Sequence, residues 1–123
     1  MPKLLIVDDE PANIELLARR LARRGFEVVS ATSADEGIAK AVSEKPDVVL
    51  MDIKMPVVDG FEATRRLKAN AETRAIPVIA LTAHAMQEDR DQAVAAGADE
   101  YETKPVDLDR LLAKVQALTS RPS

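Results

Sequence analysis

Carboxylate side chains directly follow two apolar segments of this sequence. Residues 4–7 lead into Asp8 and Asp9, and residues 48–51 lead into Asp52. Carboxylates that lie close together cannot all ionise cheaply, so one of them must keep a proton or a cation must join them. Oxygen-only ligands favour a hard ion, Mg²⁺ above all. A carboxylate beside such an ion can also be the nucleophile that forms an acyl phosphate.

A hydroxyl and an ammonium group follow two further strand-like segments. Residues 76–81 end at Thr82, and residues 99–103 lead into Lys104. Phosphoryl transfer mainly needs positioning and neutralisation of charge. A cation, the Lys104 ammonium and the Thr82 hydroxyl would each face one part of a bound phosphoryl group.

Each of these groups has a plainer interpretation when it is taken singly. Asp8 and Asp9 could be acidic residues at a helix N-terminus, where the helix dipole favours negative charge. Thr82 could be an ordinary cap residue, and Lys104 could be a surface lysine. The interpretation as one site rests on their order along the chain, because each of them stands at the end of a predicted strand.

The elements that must position these residues are parallel strands. Apolar runs such as 48–51, bounded by Pro46 and by the turn signals Pro56 and Gly60, are typical of strands that are buried on both faces. Five such segments alternate with five helical ones, which predicts an α/β fold with a parallel sheet covered on both faces. In the flavodoxin-like (βα)5 doubly wound order 2-1-3-4-5, strands one, three, four and five are consecutive neighbours, so their carboxyl ends share one edge.

The helices carry recognisable start and stop signals. Pro11 suits the first turn of a helix, and Gly25 suits the position just after its end. Ser33 with Glu36, and Asp59 with Glu62, have the spacing of a capping box. Asp107 is the predicted cap of the last helix, and the predicted inner face of that helix is Leu108, Leu111, Leu112, Val115 and Leu118. The fourth helix, which Gly97 closes, has a thin apolar side rich in alanine, and we expect it to be the mobile element.

Composition bounds the class of protein. The chain has 123 residues, which fits one domain over 1–123 with a tail at 119–123. It has no cysteine, which is compatible with the reducing cytoplasm expected as its compartment. The net charge of −4, with both signs interspersed, gives no reason to expect nucleic-acid binding. No apolar run of the length of a membrane span occurs, so we expect no membrane partner.

At this point the sequence resembles a known family, the CheY-like receiver domains of two-component response regulators, in its stand-alone form. The resemblance extends over essentially the whole chain. The motifs that carry it are residues 6–10, residues 51–56 followed by Asp59 and Gly60, residues 81–83, and Lys104 with Pro105.

The resemblance implies a role for each site residue. Asp52 would accept a phosphoryl group from a phosphohistidine. Asp9, Asp52 and the backbone carbonyl of Lys54 would ligate Mg²⁺, for which Mn²⁺ is expected to substitute, and Asp8 would act through a water molecule. Lys104 would bind the phosphoryl oxygens, and the family's cis peptide bond would lie between Lys104 and Pro105.

The resemblance also implies a switch. Thr82 would move to hydrogen-bond the phosphate, and Tyr101 would rotate inward behind it. As a plainer alternative, Tyr101 could be a half-buried strand residue. Lys54 and His84 follow the nucleophile and the hydroxyl by two positions each, and we hypothesise that they set the lifetime of the phosphate. His84 could equally be a solvated loop residue.

The expected partners are a sensor histidine kinase or a histidine phosphotransfer protein, and a downstream protein that contacts the fourth helix, fifth strand and last helix. The chain would catalyse only its own phosphorylation and dephosphorylation, or would pass the phosphate on in a phosphorelay. One rival is a metal-dependent phosphatase with an aspartate nucleophile, but such enzymes usually carry a second Asp where Lys54 stands. A flavin- or nucleotide-binding module is a third class, but no glycine-rich phosphate loop follows the first strand.

Overall fold

The computed structural model describes residues 2–83 and 87–119, and ten elements alternate along them. The strands are β1 (Lys3–Val7), β2 (Glu27–Ala31), β3 (Val48–Asp52), β4 (Val78–Thr82) and β5 (Glu100–Thr103). The helices are α1 (Pro11–Arg23), α2 (Ala34–Glu44), α3 (Gly60–Ala69), α4 (Gln87–Ala96) and α5 (Leu108–Thr119).

The strands form one parallel sheet in the order β2-β1-β3-β4-β5, which confirms the predicted topology. The central strand β3 is buried along its whole length, as its unbroken apolar run predicted. In the register of the sheet, Val7 of β1 lies beside Met51 of β3, and Asp52 lies beside Leu81 of β4. The strand ends that carry the polar residues therefore lie at one edge of the sheet.

Helices cover both faces of the sheet. On one face, α1 and α5 pack their leucines and valines against alternate strand residues such as Ile6, Leu50 and Ile79. On the other face, α2 and α3 pack against the remaining set, which includes Leu5 and Val49. The predicted inner face of α5 is confirmed, with three of its residues buried and two partly buried against the same core: Leu111, Val115, Leu118, Leu108 and Leu112.

The helix α4 packs on a smaller apolar cluster than the other helices do. Its buried residues are Ala93 and Ala96, which join a small cluster with Ile53, Phe61 and Ala80. This confirms the thin apolar side predicted for α4. None of the helices that the structure describes has the length and apolar character needed to cross a membrane.

The capping signals operate, with one difference from the prediction. The Ser33 hydroxyl accepts a hydrogen bond from the Glu36 N–H at 3.2 Å, and the Asp59 carboxylate accepts one from the Glu62 N–H at 2.9 Å. In a full capping box the Glu36 carboxylate would accept from the N–H of Ser33. It accepts instead from the N–H of Thr32, at 2.7 Å, and so secures the residue before the cap.

Three strands begin one or two residues later than the sequence patterns predicted, so the boundaries at residues 26, 76 and 99 are corrected. The Phe26 N–H donates to the Leu21 carbonyl at 3.2 Å, which makes it part of the turn that ends α1. The Ile76 N–H donates to the Thr73 carbonyl at 3.0 Å, which places it in the turn before β4. These hydrogen bonds hold Phe26 and Ile76 in turns, although the apolar runs alone would assign both residues to strands.

Candidate functional site

Three carboxylates meet at the carboxyl edge of the sheet. Asp8 and Asp9 follow β1, and Asp52 is the last residue of β3, the strand beside it. One oxygen from each carboxylate lies within 4.8 Å of the others. Asp8 and Asp52 are buried, with 3% and 4% of their surface exposed, whereas Asp9 is half-buried. The cluster is therefore a set of closely spaced negative oxygens that is only partly open to solvent.

Backbone groups hold Asp8 in this cluster. The backbone N–H of Asp8 donates to the carbonyl of Ala31, at the end of β2, at 3.1 Å. Its carboxylate accepts a hydrogen bond from the N–H of Glu10 at 2.9 Å. The sequence analysis missed this support from Ala31 and Glu10, because backbone hydrogen bonds leave no signature in residue type.

Lys104 reaches the cluster from the end of β5, which is separated from β3 by β4. Its ammonium nitrogen lies 3.0 Å from Asp52 Oδ1 and 3.6 Å from Asp8 Oδ2. Its backbone N–H donates to the carbonyl of Thr82 at 2.7 Å, and the Lys104–Pro105 peptide bond is cis. The side chain therefore extends past the end of β4 to bring one positive charge to two buried negative ones.

Thr82 is the last residue of β4, the strand between β3 and β5. It lies one position beyond Leu81, which is the register partner of Asp52, and it is buried with 7% of its surface exposed. Thr82 therefore occupies the same edge of the sheet as Asp52 and Lys104.

The protonation of Asp52 reflects these surroundings. Burial raises the pKa of its carboxyl above the ordinary value, and the negative charge of Asp8 raises it further. The hydrogen bond and positive charge of Lys104 lower the pKa, as does the Lys54 N–H, which lies 3.4 Å from Asp52 Oδ1, but burial prevails. A single ammonium group thus does not balance the carboxylates, and a divalent cation with oxygen ligands fits the donor set.

The loop between β3 and α3 is tightly shaped. The Val58 N–H donates to the Pro56 carbonyl at 2.8 Å, and Val57 between them has a φ of 68°. This is a γ-turn with a positive φ, a strained conformation for a β-branched residue. Val57 is fully exposed, so packing does not explain its position.

Gly60, at the start of α3, lies against the end of β3. A Cβ at this position would come within 2.2 Å of the Asp52 carbonyl oxygen, and the Gly60 N–H donates to the Ile53 carbonyl at 2.9 Å. Only glycine allows this approach of helix to strand. The sequence analysis used Gly60 as a turn signal and missed this steric role.

Three of the predicted residues have side chains that lie away from the cluster or cannot be placed. Tyr101 lies in β5, half-buried beside α4 and α5, and is not in the carboxylate cluster. Lys54 lies in the loop after β3 with its side chain exposed. His84 lies outside the residues that the structure describes.

Comparison with known proteins finds relatives that match almost the whole chain. A family model described as the response regulator receiver domain matches residues 4–116. The chain is 46% identical over 118 residues to the protein PilH of Pseudomonas aeruginosa, a match that covers 96% of this chain and 98% of PilH. It is 41% identical over 121 residues to the transcriptional regulator RpaA of Synechocystis, covering 98% of this chain but only 50% of RpaA.

Solved structures give the same result. The chemotaxis protein CheY4 of Vibrio cholerae matches with a TM-score of 0.89 at 30% identity, covering 96% of this chain and 98% of CheY4. The receiver domain of a Pseudomonas aeruginosa sensor histidine kinase, with a magnesium ion coordinated in its active-site cleft, matches with a TM-score of 0.89 at 32% identity, covering 98% of each chain.

Proposed function

This chain belongs to the response regulator receiver domain family, and from that membership we propose that Asp52 is the phosphoacceptor of a two-component signalling receiver. The observation that carries the proposal is the 3.0 Å contact between the Lys104 ammonium and Asp52, inside a cluster of three carboxylates. Asp52 is the carboxylate of that cluster that stands on the central strand, with Asp8 and Lys104 against it.

In the proposed reaction, an Asp52 carboxylate oxygen attacks the phosphorus atom of a phosphohistidine on a partner protein. The bond between phosphorus and the imidazole nitrogen breaks, and that nitrogen keeps the electron pair and takes up a proton. The product is an acyl phosphate on Asp52. Lys104 would then neutralise the phosphoryl oxygens that replace part of its contact with the carboxylate.

Receiver domains bind Mg²⁺ at an acidic pocket, and the residues of this pocket fit that ion. Asp9, Asp52 and the backbone carbonyl of Lys54 would hold it directly, Asp8 would hold it through a water molecule, and Mn²⁺ would be accepted by the same oxygen ligands. When bound, the ion supplies positive charge that offsets repulsion between the carboxylates and the incoming phosphoryl group.

Receiver domains act with histidine kinases and with downstream targets. For this chain we propose a sensor histidine kinase or a histidine phosphotransfer protein as the phosphoryl donor. Thr82 would hydrogen-bond the phosphate, and Tyr101 would turn inward. The helices α4 and α5 and the strand β5 would then present the altered surface to a target protein. Alternatively, the phosphate would pass on in a relay. The cytoplasm remains the predicted compartment, and the lifetime roles of Lys54 and His84 remain predictions.

The test is phosphorylation by acetyl phosphate with Mg²⁺, read by intact-protein mass spectrometry. We expect the wild type to gain about 80 Da, the mass of one phosphoryl group, and Asp52→Ala to gain nothing. Asp35→Asn, at an exposed position at the start of α2, is the matched control and should gain the same mass as the wild type.

Two outcomes would contradict the proposal. A mass gain that persists in Asp52→Ala would place the phosphate on another residue. Steady hydrolysis of a generic phosphate ester such as p-nitrophenyl phosphate would favour the rival class, a metal-dependent phosphatase.

A further inference from the structure

The ring of Tyr101 lies close to two cations from different helices. The guanidinium carbon of Arg90, on α4, is 4.6 Å from the ring centroid. The ammonium nitrogen of Lys114, on α5, is 5.3 Å from it. Both distances are within the range at which a cation is attracted to the face of an aromatic ring. The ring therefore links α4 to α5 across the edge strand β5.

Lys114 is held in this position by contacts of its own. Its ammonium group donates to the Tyr101 carbonyl at 2.6 Å and lies 3.1 Å from the Glu102 carboxylate. Glu102 is buried, with 2% of its surface exposed, and its other oxygen accepts from Arg110 at 3.0 Å. A buried carboxylate requires such partners, so the charge of Glu102 fixes Lys114 beside the Tyr101 ring.

Apolar packing also contributes to the position of the ring. Tyr101 packs against the cluster of Ile53, Phe61, Ala80, Ala93 and Ala96. Ala80 is its register partner on β4, and Thr82 lies two residues further along that strand. Tyr101 is half-buried, and the two cation contacts add to this packing in favouring its present position.

We propose that Arg90 and Lys114 are positioning residues that hold the Tyr101 ring in its present half-buried position, and that they thereby set how often the unphosphorylated protein adopts the inward state. The inference rests on the proposed function, in which Tyr101 turns inward when Asp52 is phosphorylated. One cation–π contact at a partly exposed site changes a two-state equilibrium about two- to five-fold. Loss of either cation would therefore raise the inward population by that factor.

Arg90 is the better residue to test, because Lys114 also neutralises the buried Glu102. Arg90 is exposed on α4, so its replacement leaves the Glu102 ion pairs in place. Arg90→Gln removes the charge, and Arg90→Lys keeps it. Arg23→Gln, at an exposed position on α1, controls for the loss of one surface arginine.

The first measurement uses the unphosphorylated protein. Tyr101 is the only tyrosine and the chain has no tryptophan, so acrylamide quenching of the intrinsic emission reports this ring alone. We expect Arg90→Gln to lower the quenching constant, since the inward ring is less accessible, and we expect Arg90→Lys and Arg23→Gln to match the wild type. Equal quenching in Arg90→Gln and wild type would overturn the proposal, as would an Arg90→Lys variant that behaves like Arg90→Gln.

The second measurement is the ratio of phosphorylated to unphosphorylated protein at steady state with acetyl phosphate and Mg²⁺. Because the inward state favours the phosphorylated form, Arg90→Gln should raise this ratio, by no more than the about two- to five-fold change in the inward population. Changed quenching with an unchanged ratio would overturn the link to the switch. If Asp52 takes up no phosphate in any variant, the proposed function fails, but the quenching result still decides whether the cations hold the ring.

Discussion

At the scale of single residues, Asp52 carries a charge that the folded protein disfavours. Its burial, with the nearby charge of Asp8, raises its pKa above the ordinary value of 3.8 despite the contact with Lys104. A raised pKa means that folding favours the protonated form. The corresponding stability is present below the ordinary value and is lost as the pH rises through the pKa of the folded state.

We therefore expect Asp52→Asn to raise the melting temperature at pH 7 in the presence of EDTA, because the amide removes the buried charge. The gain should shrink as the pH falls through the raised pKa of the folded wild type and be gone by about pH 4, where the wild-type carboxyl is protonated as well. Circular dichroism melts over a pH series measure this. Mg²⁺ should raise the melting temperature of the wild type and leave the variant nearly unchanged. A variant that melts lower than the wild type at pH 7 would show that the Lys104 ion pair outweighs burial.

Val57 is a second residue that the folded structure holds in an unfavourable state, because its positive φ strains a β-branched side chain. A γ-turn of positive φ is a sparsely populated conformation that costs an L-residue about 1–3 kcal/mol, and asparagine is found at positive φ more often than β-branched residues are. We expect Val57→Asn to raise the free energy of unfolding by about 1 kcal/mol in urea denaturation. Val94→Asn is the control, because Val94 is also exposed but lies in the regular helix α4. An equal gain in both variants would assign the effect to lost apolar surface instead of relieved strain.

At the scale of elements, the junction of β3 with α3 depends on a missing side chain. Gly60→Ala would place a methyl carbon 2.2 Å from the Asp52 carbonyl oxygen, so the helix must move away from the strand. We expect a loss of about 1–3 kcal/mol in stability, the range for an overpacked core, together with slower phosphorylation of Asp52. Gly37→Ala should cost less, since its methyl group meets the side chain of Val7 at 2.8 Å instead of main-chain atoms. A Gly60→Ala variant as stable as the wild type would contradict this.

The sequence predicts the elements well where local pattern and burial agree. The buried strand β3, the apolar faces of α1 and α5 and the polar residues after the strands all follow from periodicity and from parallel topology. A prediction from pattern is weaker where a distant partner decides. Glu102 in an edge strand suggests exposure, yet Arg110 and Lys114 of α5 bury and pair it. Likewise, valine at residue 57 gives no signal for a γ-turn.

At the scale of the whole molecule, α1 anchors to the sheet more firmly than α4 does. The helix α1 buries Ile14, Leu17 and Leu21, whereas α4 buries Ala93 and Ala96. At about 25 cal/mol per Å² of buried apolar surface, the alanines hold their helix much less strongly.

We expect backbone amides of α4 to exchange with deuterium faster than those of α1 and α5, because weakly packed elements open at lower free energy. Hydrogen exchange with mass spectrometry on peptides from each helix measures this. The C-terminal half of α4, around Ala93, gives the sharpest comparison because it contains the buried residues of that helix. Protection there equal to that around Leu111 of α5 would count against a mobile α4.

The charged groups along β5 have a consequence for the protein at high concentration. The Lys114 ammonium occupies the Tyr101 carbonyl, and the Glu100 and Glu102 carboxylates accept from the Tyr101 and Thr103 N–H groups at 3.2 Å each. An incoming strand from another molecule would have to displace these groups and would deprive the buried Glu102 carboxylate of its contact with Lys114. The charged side chains along β5 therefore disfavour the edge-to-edge strand pairing through which β-proteins aggregate.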